Sequence, residues 1–154
     1  MAQARGKSRT VGEIMTREVS WCAPDATVQE VARVMAERNV GAVPIAEDGR
    51  LVGLVTDRDI AVRVVARGLD VRQTRIGDHV TREVEAVTPT TPIDTALGVM
   101  ERYQVRRLPV VEEGRLVGIV SLGDFATRTP GSSQRRELKV GEALEAISQP
   151  SEAR

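Results

Sequence analysis

Apolar and polar positions follow one order along residues 11–60, and that order returns along residues 76–125. A short apolar stretch at 19–22 is followed by Val28, Val31, Ala32 and Met35 at helical spacing, then by two apolar runs around Glu47-Asp48-Gly49-Arg50. The second passage has 84–87, then Ile93, Ala96, Leu97 and Met100, then runs at 108–111 and 116–120 around Glu113-Gly114. Short apolar runs bounded by turn residues read as strands, and a stripe at i, i+3, i+4 reads as a helix. The first stripe opens with Thr27-x-x-Glu30, the spacing of a capping box. The second opens with Thr91-Pro92, with proline expected at the first helical position. Asp48-Gly49 and Glu113-Gly114 read as hairpin turns. The second strand of each hairpin is almost entirely apolar, which predicts burial on both faces. A last helix is expected from Asp57 to a C-cap at Arg67-Gly68, and from Leu122 to a stop before Pro130-Gly131.

A constant shift of 65 aligns residues 11–60 with 76–125 without a gap, and 18 of the 50 positions are identical. Self-similarity at a fixed period governs the fold assignment. Each copy reads β-α-β-β-α, so the fold class is α/β (α+β), two repeats packed with pseudo-two-fold symmetry. About 50 residues bury too little surface to be stable alone, which favours two copies sharing a core. The organisation read from the chain is a basic tail at 1–10, repeat one at 11–69, a linker at 70–75, repeat two at 76–129, and a C-terminal linker with a short helix at 130–154. Within that last segment 130–136 reads as flexible. Leu138, Ala143, Leu144 and Ile147 are the expected apolar face of the helix.

Composition narrows the functions. The 154 residues include 22 basic and 22 acidic side chains and one each of Trp, Tyr and Phe. Nucleic-acid binding calls for basic excess and stacking aromatics, so nucleic acid is not an expected partner. An anionic membrane surface is disfavoured for the same reason, and no run approaches a membrane span. The first ten residues carry Arg5, Lys7 and Arg9 without a following apolar run, so the expected location is cytoplasmic. Cys22 is the sole cysteine and reads as a small buried hydrophobe or as a reactive thiol. A zinc site would have to combine it with His79 and carboxylates from different copies. His79 is the sole histidine and aligns with Ile14, which points to packing and leaves no Ser/His/Asp set. Asp57 and Asp59 could form a carboxylate pair, but Leu122 replaces Asp57 in the second copy. No enzyme is expected.

The stretches "GAVPIAEDGRLVGLVTDRDI" and "VRRLPVVEEGRLVGIVSLGDF" resemble a tandem pair of CBS domains, and the likeness covers 11–128. The chain is similar to the small stand-alone bacterial CBS-pair proteins. That resemblance implies two ligand clefts between the repeats, an adenosine-containing ligand (AMP, ADP, ATP or S-adenosylmethionine), no required cofactor, and a homodimer of pairs. It also implies that Thr56 with Asp59, and Ser121 with Asp124, hold a ribose. It implies that Arg106 and Arg107, which precede the Leu-Pro-Val strand, meet phosphate. In copy one Gly41-Ala42 stands there instead. Thr16 and Thr81, in the repeated "TREV", pass the adenine.

Each residue also has a plainer explanation. A hydroxyl three residues before an Asp is what a helix N-terminus takes for capping. Capping does not exclude an anion or a ribose at that point. Arg58 is a surface charge or is held by an anion. Arg106 and Arg107 are adjacent, so on a strand they point to opposite faces, and one at most reaches a given phosphate. Thr16 and Thr81 are loop hydroxyls otherwise. Ile60, Ala61, Val62, Val64 and Val65 surround the last helix of copy one, which predicts cover on more than one side and hence a homodimer. The reading is a non-enzymatic regulatory sensor of an adenosine ligand. Its alternative is a ligand-free structural or adaptor homodimer that acts through an unknown protein partner. The copies supply unequal parts, which predicts a stronger site at Asp59 and a weaker one at Asp124.

Overall fold

The computed structural model describes residues 9–128 and 133–148. The elements are α1 (Val28–Arg38), β1 (Ala42–Glu47), β2 (Arg50–Thr56), α2 (Asp57–Ile60), α3 (Ile93–Tyr103), β3 (Arg107–Glu112), β4 (Arg115–Ser121), α4 (Leu122–Arg128) and α5 (Ser133–Ser148). A π-helical segment, Ala61–Val65, prolongs α2, and 3-10 turns lie at Val11–Glu13 and Ile76–Asp78.

The chain forms two compact units that cut across the sequence repeats. The Thr56 unit comprises Glu18–Val84 and Glu113–Leu116; the Ser121 unit comprises Glu85–Glu112, the lead-in that ends at Arg17, and the chain from Val117 onward. Each unit therefore takes the lead-in of one repeat and the body of the other.

In the Thr56 unit, α1 starts where the capping box predicts. Thr27 Oγ1 accepts from the Glu30 amide at 3.2 Å, and the Thr27 amide donates to Glu30 Oε2 at 2.7 Å. The helix ends on Asn39 at φ 52, a left-handed close that asparagine tolerates. β1 and β2 pair antiparallel, with Asp48 (φ 51) and Gly49 (φ 78) both left-handed, as a type I′ turn demands. Val28, Val31, Val43, Ile45, Val55, Val64 and Ile76 close the core. The tip of the second hairpin also belongs here: the Leu51 amide donates to the Gly114 carbonyl and the Leu116 amide to the Gly49 carbonyl. The lead-in 76–81 is stitched on by the Ile76 amide to Ala26, the Gly77 amide to Pro24, and a two-way pair between Leu54 and Thr81. Gly53 permits that last approach, since a Cβ there would collide with the Thr81 carbonyl oxygen.

The Ser121 unit repeats the plan. α3 ends on left-handed Gln104, and β3 follows. The lead-in is held by the Val11 amide to Thr91, the Gly12 amide to Pro89, and a two-way pair between Thr16 and Ile119. Met100, Leu108, Val110, Val120 and Phe125 fill the core. This unit adds α5, whose Val140 and Ala143 enter that core.

Several expectations change in detail. The predicted strands at 19–22 and 84–87 reduce to single parallel bridges, Cys22 to Ile45 and Val87 to Val110, because each segment makes only two backbone bonds to its neighbour. Burial on both faces describes β1, where five of six residues are buried, rather than β2, where only Gly53 and Val55 are. Pro92 is the N-cap, one position before the helix proper. Of the supposedly flexible 130–136, Ser133 onward is helical and 130–132 lie outside the described residues, as does most of the 1–10 tail. Within α5, Leu138 faces solvent and Val140 takes the buried place expected of it.

Candidate functional site

The two hydroxyl-x-x-Asp motifs sit where β2 and β4 turn into α2 and α4, and both form reciprocal caps. Thr56 Oγ1 accepts from the Asp59 amide at 3.1 Å, and the Thr56 amide donates to Asp59 Oδ2 at 2.9 Å. Ser121 Oγ accepts from the Asp124 amide at 3.3 Å, and its own amide donates to Asp124 Oδ2 at 2.8 Å. The capping explanation therefore describes the geometry of both motifs. It leaves acceptor capacity, because a carboxylate offers about four lone-pair sites.

The second oxygen of each carboxylate faces an arginine four residues on. Arg63 is 3.5 Å from Asp59 Oδ1, and Arg128 is 3.5 Å from Asp124 Oδ1. Each arginine also reaches the lead-in packed in its unit: Arg63 donates to the His79 carbonyl at 2.9 Å, and Arg128 to the Ile14 carbonyl at 3.4 Å. Arg63 and Arg128, like His79 and Ile14, are 65 residues apart, so the clamp is duplicated. These arginines were absent from the sequence-based candidates. The i, i+4 spacing from an Asp in both copies was the available signal.

Thr81 joins Thr56 and Asp59 in one unit, and Thr16 joins Ser121 and Asp124 in the other. Each threonine contributes backbone to the strand end opposite it, Thr81 to Leu54 and Thr16 to Ile119. Thr16 Oγ1 also accepts from Arg128 at 3.4 Å. Each candidate site thus draws on both sequence repeats while lying inside one compact unit.

The cations differ. Arg58 is exposed on the first turn of α2, and Gly41 and Ala42 carry no charge at the entry of β1. In the Ser121 unit, Arg106 and Arg107 line one cavity of about 420 Å³ with Ser121, Gly123, and Val140 and Leu144 of α5. β3 starts at Arg107, so only one of the two arginines expected on that strand is in it. Arg106 lies in the preceding bend, where strand alternation does not apply.

Cys22 is buried, and burial first and the charge of Glu30 second push its thiol above the ordinary range. His79 is half-buried and is used through its backbone carbonyl. Among the described residues no group of three or more His, Cys, Asp or Glu side chains is placed to hold a metal ion. No helix among them is long and apolar enough to cross a membrane.

The CBS-domain profile matches residues 11–66 and 76–130. The CBS domain-containing protein YhcV of Bacillus subtilis is 40% identical over 139 residues, which span 90% of this chain and 95% of that protein. Hypoxic response protein 1 of Mycobacterium tuberculosis is 39% identical, over 79% of this chain and 85% of its own. Its crystal structure, with two coordinated zinc ions, superposes at TM-score 0.73 over 79% of this chain and 99% of that one. The CBS domain pair of protein MJ0100, in complex with 5-methylthioadenosine and S-adenosyl-L-methionine, superposes at TM-score 0.68 and 28% identity. It covers 76% of this chain and 92% of that one. Two matched segments in one chain, and relatives of nearly the same length, assign this protein to the CBS-domain family as a small tandem-pair member.

Proposed function

We propose that the protein is a non-enzymatic sensor that binds an adenosine-containing ligand (AMP, ADP, ATP or S-adenosylmethionine) and passes its occupancy on through shape or assembly. The observation that carries this reading is the duplicated carboxylate. Asp59 and Asp124 are each held in a fixed orientation by a cap and an arginine, with side chains 20% and 14% exposed. Asp59 keeps lone pairs for both hydroxyls of a ribose, and Asp124 keeps fewer, because Ser121 gives its Oδ2 two donors. The adenosine compounds bound by the MJ0100 pair support the ligand class. Micromolar affinity corresponds to about −8 kcal/mol, within reach of two ribose bonds, an adenine contact and one cation. Regulation requires unequal affinity for two states of the protein. Thr16 and Thr81 would offer backbone to the base, and Arg58, Arg106 and Arg107 would serve phosphate.

The sensor is read as a cytoplasmic homodimer. Val62 and Val65, 54% and 60% exposed, and Leu69 give the Thr56 unit an apolar face that a second copy would cover. The same face is what favours the second reading, an adaptor that binds no small molecule.

A thermal-shift screen with AMP, ADP, ATP, S-adenosylmethionine and zinc tests the proposal. A ligand that binds only the folded state raises stability by mass action. A rise of several degrees with an adenosine compound is expected. No shift at millimolar concentration leaves the adaptor reading, and a shift with zinc alone transfers the family likeness to the zinc-binding relative.

A further inference from the structure

We propose that α5 is part of the ligand site of the Ser121 unit: it roofs the cavity over Ser121 and Gly123, and Leu144 is its contact with the bound adenosine compound. This inference rests on the adenosine reading given above and adds residues outside the CBS repeats. The cavity of about 420 Å³ falls in the range of about 300–1,000 Å³ usual for small-ligand sites. Its lining brings Arg106, Arg107 and Ser121 together with Val140 and Leu144. Guanidinium groups and apolar side chains around one cavity suit a ligand that carries both a phosphate and apolar surface.

The helix is anchored around this space without filling it. Ala143 is fully buried and Val140 nearly so, against the core of the unit. Lys139 Nζ lies 2.9 Å from Asp94 of α3. The Gln104 side-chain amide donates to the Ala146 carbonyl at 3.4 Å, and Arg106 donates to Ser148 Oγ at 3.5 Å. Both bonds join the last turn of α5 to the body of the Ser121 unit. Leu144 lines the cavity beside Val140 and is 40% exposed. An apolar side chain left open on a cavity wall is covered when a ligand enters, and the helix that carries it is then tightened. Arg106 touches both the roof and the cavity, so a phosphate drawn to it bears on the end of α5.

The experiment compares the unaltered chain with Leu144→Ala and Leu144→Asp by calorimetric titration with AMP. It is joined to hydrogen exchange of residues 138–148 with and without AMP. Leu144→Ala is expected to weaken AMP about fivefold and Leu144→Asp more than tenfold. In the unaltered chain, saturating AMP is expected to slow exchange in 138–148 severalfold. Because Leu144 is partly exposed, both variants retain the core, and circular dichroism checks this. Equal AMP affinity in all three proteins, or AMP-accelerated exchange in α5, overturns the roof while leaving the adenosine reading intact. Tighter binding by the variants overturns it too, since α5 would then obstruct the site. No binding of AMP by any of the three, with none of the other adenosine compounds binding either, overturns both.

Discussion

Thr56 and Ser121 occupy the same place in two copies of one design, yet among the described residues only the Ser121 hydroxyl proton finds an acceptor. Ser121 Oγ donates to Asp124 Oδ2 at 3.0 Å, so that oxygen takes two donors from a single residue. Asp59 Oδ2 takes one, from the Thr56 amide, and among the described residues the Thr56 hydroxyl proton has no acceptor. The Thr56 unit therefore keeps more capacity for ribose. The Ser121 unit has what the other lacks, two adjacent arginines beside its motif and the helix α5. Duplication preserved the carboxylate and its clamp, and divergence redistributed the rest. The two sites are expected to weigh the parts of a ligand differently, ribose at Asp59 and phosphate at Arg106 and Arg107.

The largest expected difference concerns ribose. Asp59→Ala removes a carboxylate that still has lone pairs to give, and its effect on adenosine binding should reach about 2–4 kcal/mol if both hydroxyl bonds are lost. Asp124→Ala should cost less, because its Oδ2 is already committed. Calorimetric titration of the two variants with adenosine and AMP measures this. Equal losses for the two would remove the asymmetry. Arg106→Ala should reduce the preference for AMP over adenosine and leave adenosine itself nearly unchanged.

Next come the glycines that let the lead-ins approach. A Cβ at Gly53 would meet the Thr81 carbonyl oxygen and Val80, whereas at Gly118 the nearest atom is the flexible Met15 sulfur at 2.8 Å, followed by the Thr16 carbonyl oxygen at 2.9 Å. Overpacking costs about 1–3 kcal/mol, and more where rigid backbone must move. Gly53→Ala is expected at the upper end, about 3 kcal/mol, and Gly118→Ala at about 1 kcal/mol. Urea unfolding of both variants decides whether the two lead-ins are equally rigid.

How much of this was legible beforehand depends on the range of the interaction. Thr27-x-x-Glu30 and Asp48-Gly49 act within four residues, and both do in the structure what their chemistry predicts. Arg106 is expected on the strand with Arg107, but β3 begins one residue later, at a boundary that local pattern resolves poorly. The exchange of lead-ins was not legible at all. Residues 76–84 are as compatible with one repeat as with the other in sequence, and their unit is selected by tertiary contacts: the close approach at Gly53, the backbone bonds to Pro24, Ala26 and Leu54, and Arg63 on the His79 carbonyl. The apolar stripe of α5 was read as a helix, but choosing Val140 over Leu138 for the core required the packing partner.

A smaller contrast separates the two clamps. Arg63 is 38% exposed and makes a 2.9 Å bond to the His79 carbonyl, while Arg128 is 51% exposed and makes only 3.4 Å bonds to its lead-in. Exposed ion pairs contribute about 0–1 kcal/mol, and a well-formed bond to a charged donor somewhat more. Arg63→Met should therefore destabilise by about 1 kcal/mol and Arg128→Met by about half of that, read from thermal unfolding. The reverse order would mean that bond length misrepresents the strength of the clamps.

The smallest expected effect lies at Cys22, whose counterpart 65 residues on is Val87. Both residues bridge to the adjacent strand, Cys22 to Ile45 and Val87 to Val110, and both are buried. If the thiol only fills space, Cys22→Val should change stability by less than about 1 kcal/mol at neutral pH, as volume-matched apolar exchanges do. The thiol does leave one trace in the titration behaviour. Burial and Glu30 raise its folded pKa above the ordinary 9.0, so the folded state holds its proton where the unfolded chain releases it. Stability from this group is complete below the unfolded value and declines as pH rises from there through the folded value. Between pH 8 and pH 10.5, unaltered protein should thus lose slightly more stability than Cys22→Val, and its thiol should react slowly with an alkylating agent until the chain unfolds. Rapid alkylation of the native protein at pH 7 would show instead that Cys22 is accessible and that the matching valine is no guide to its role.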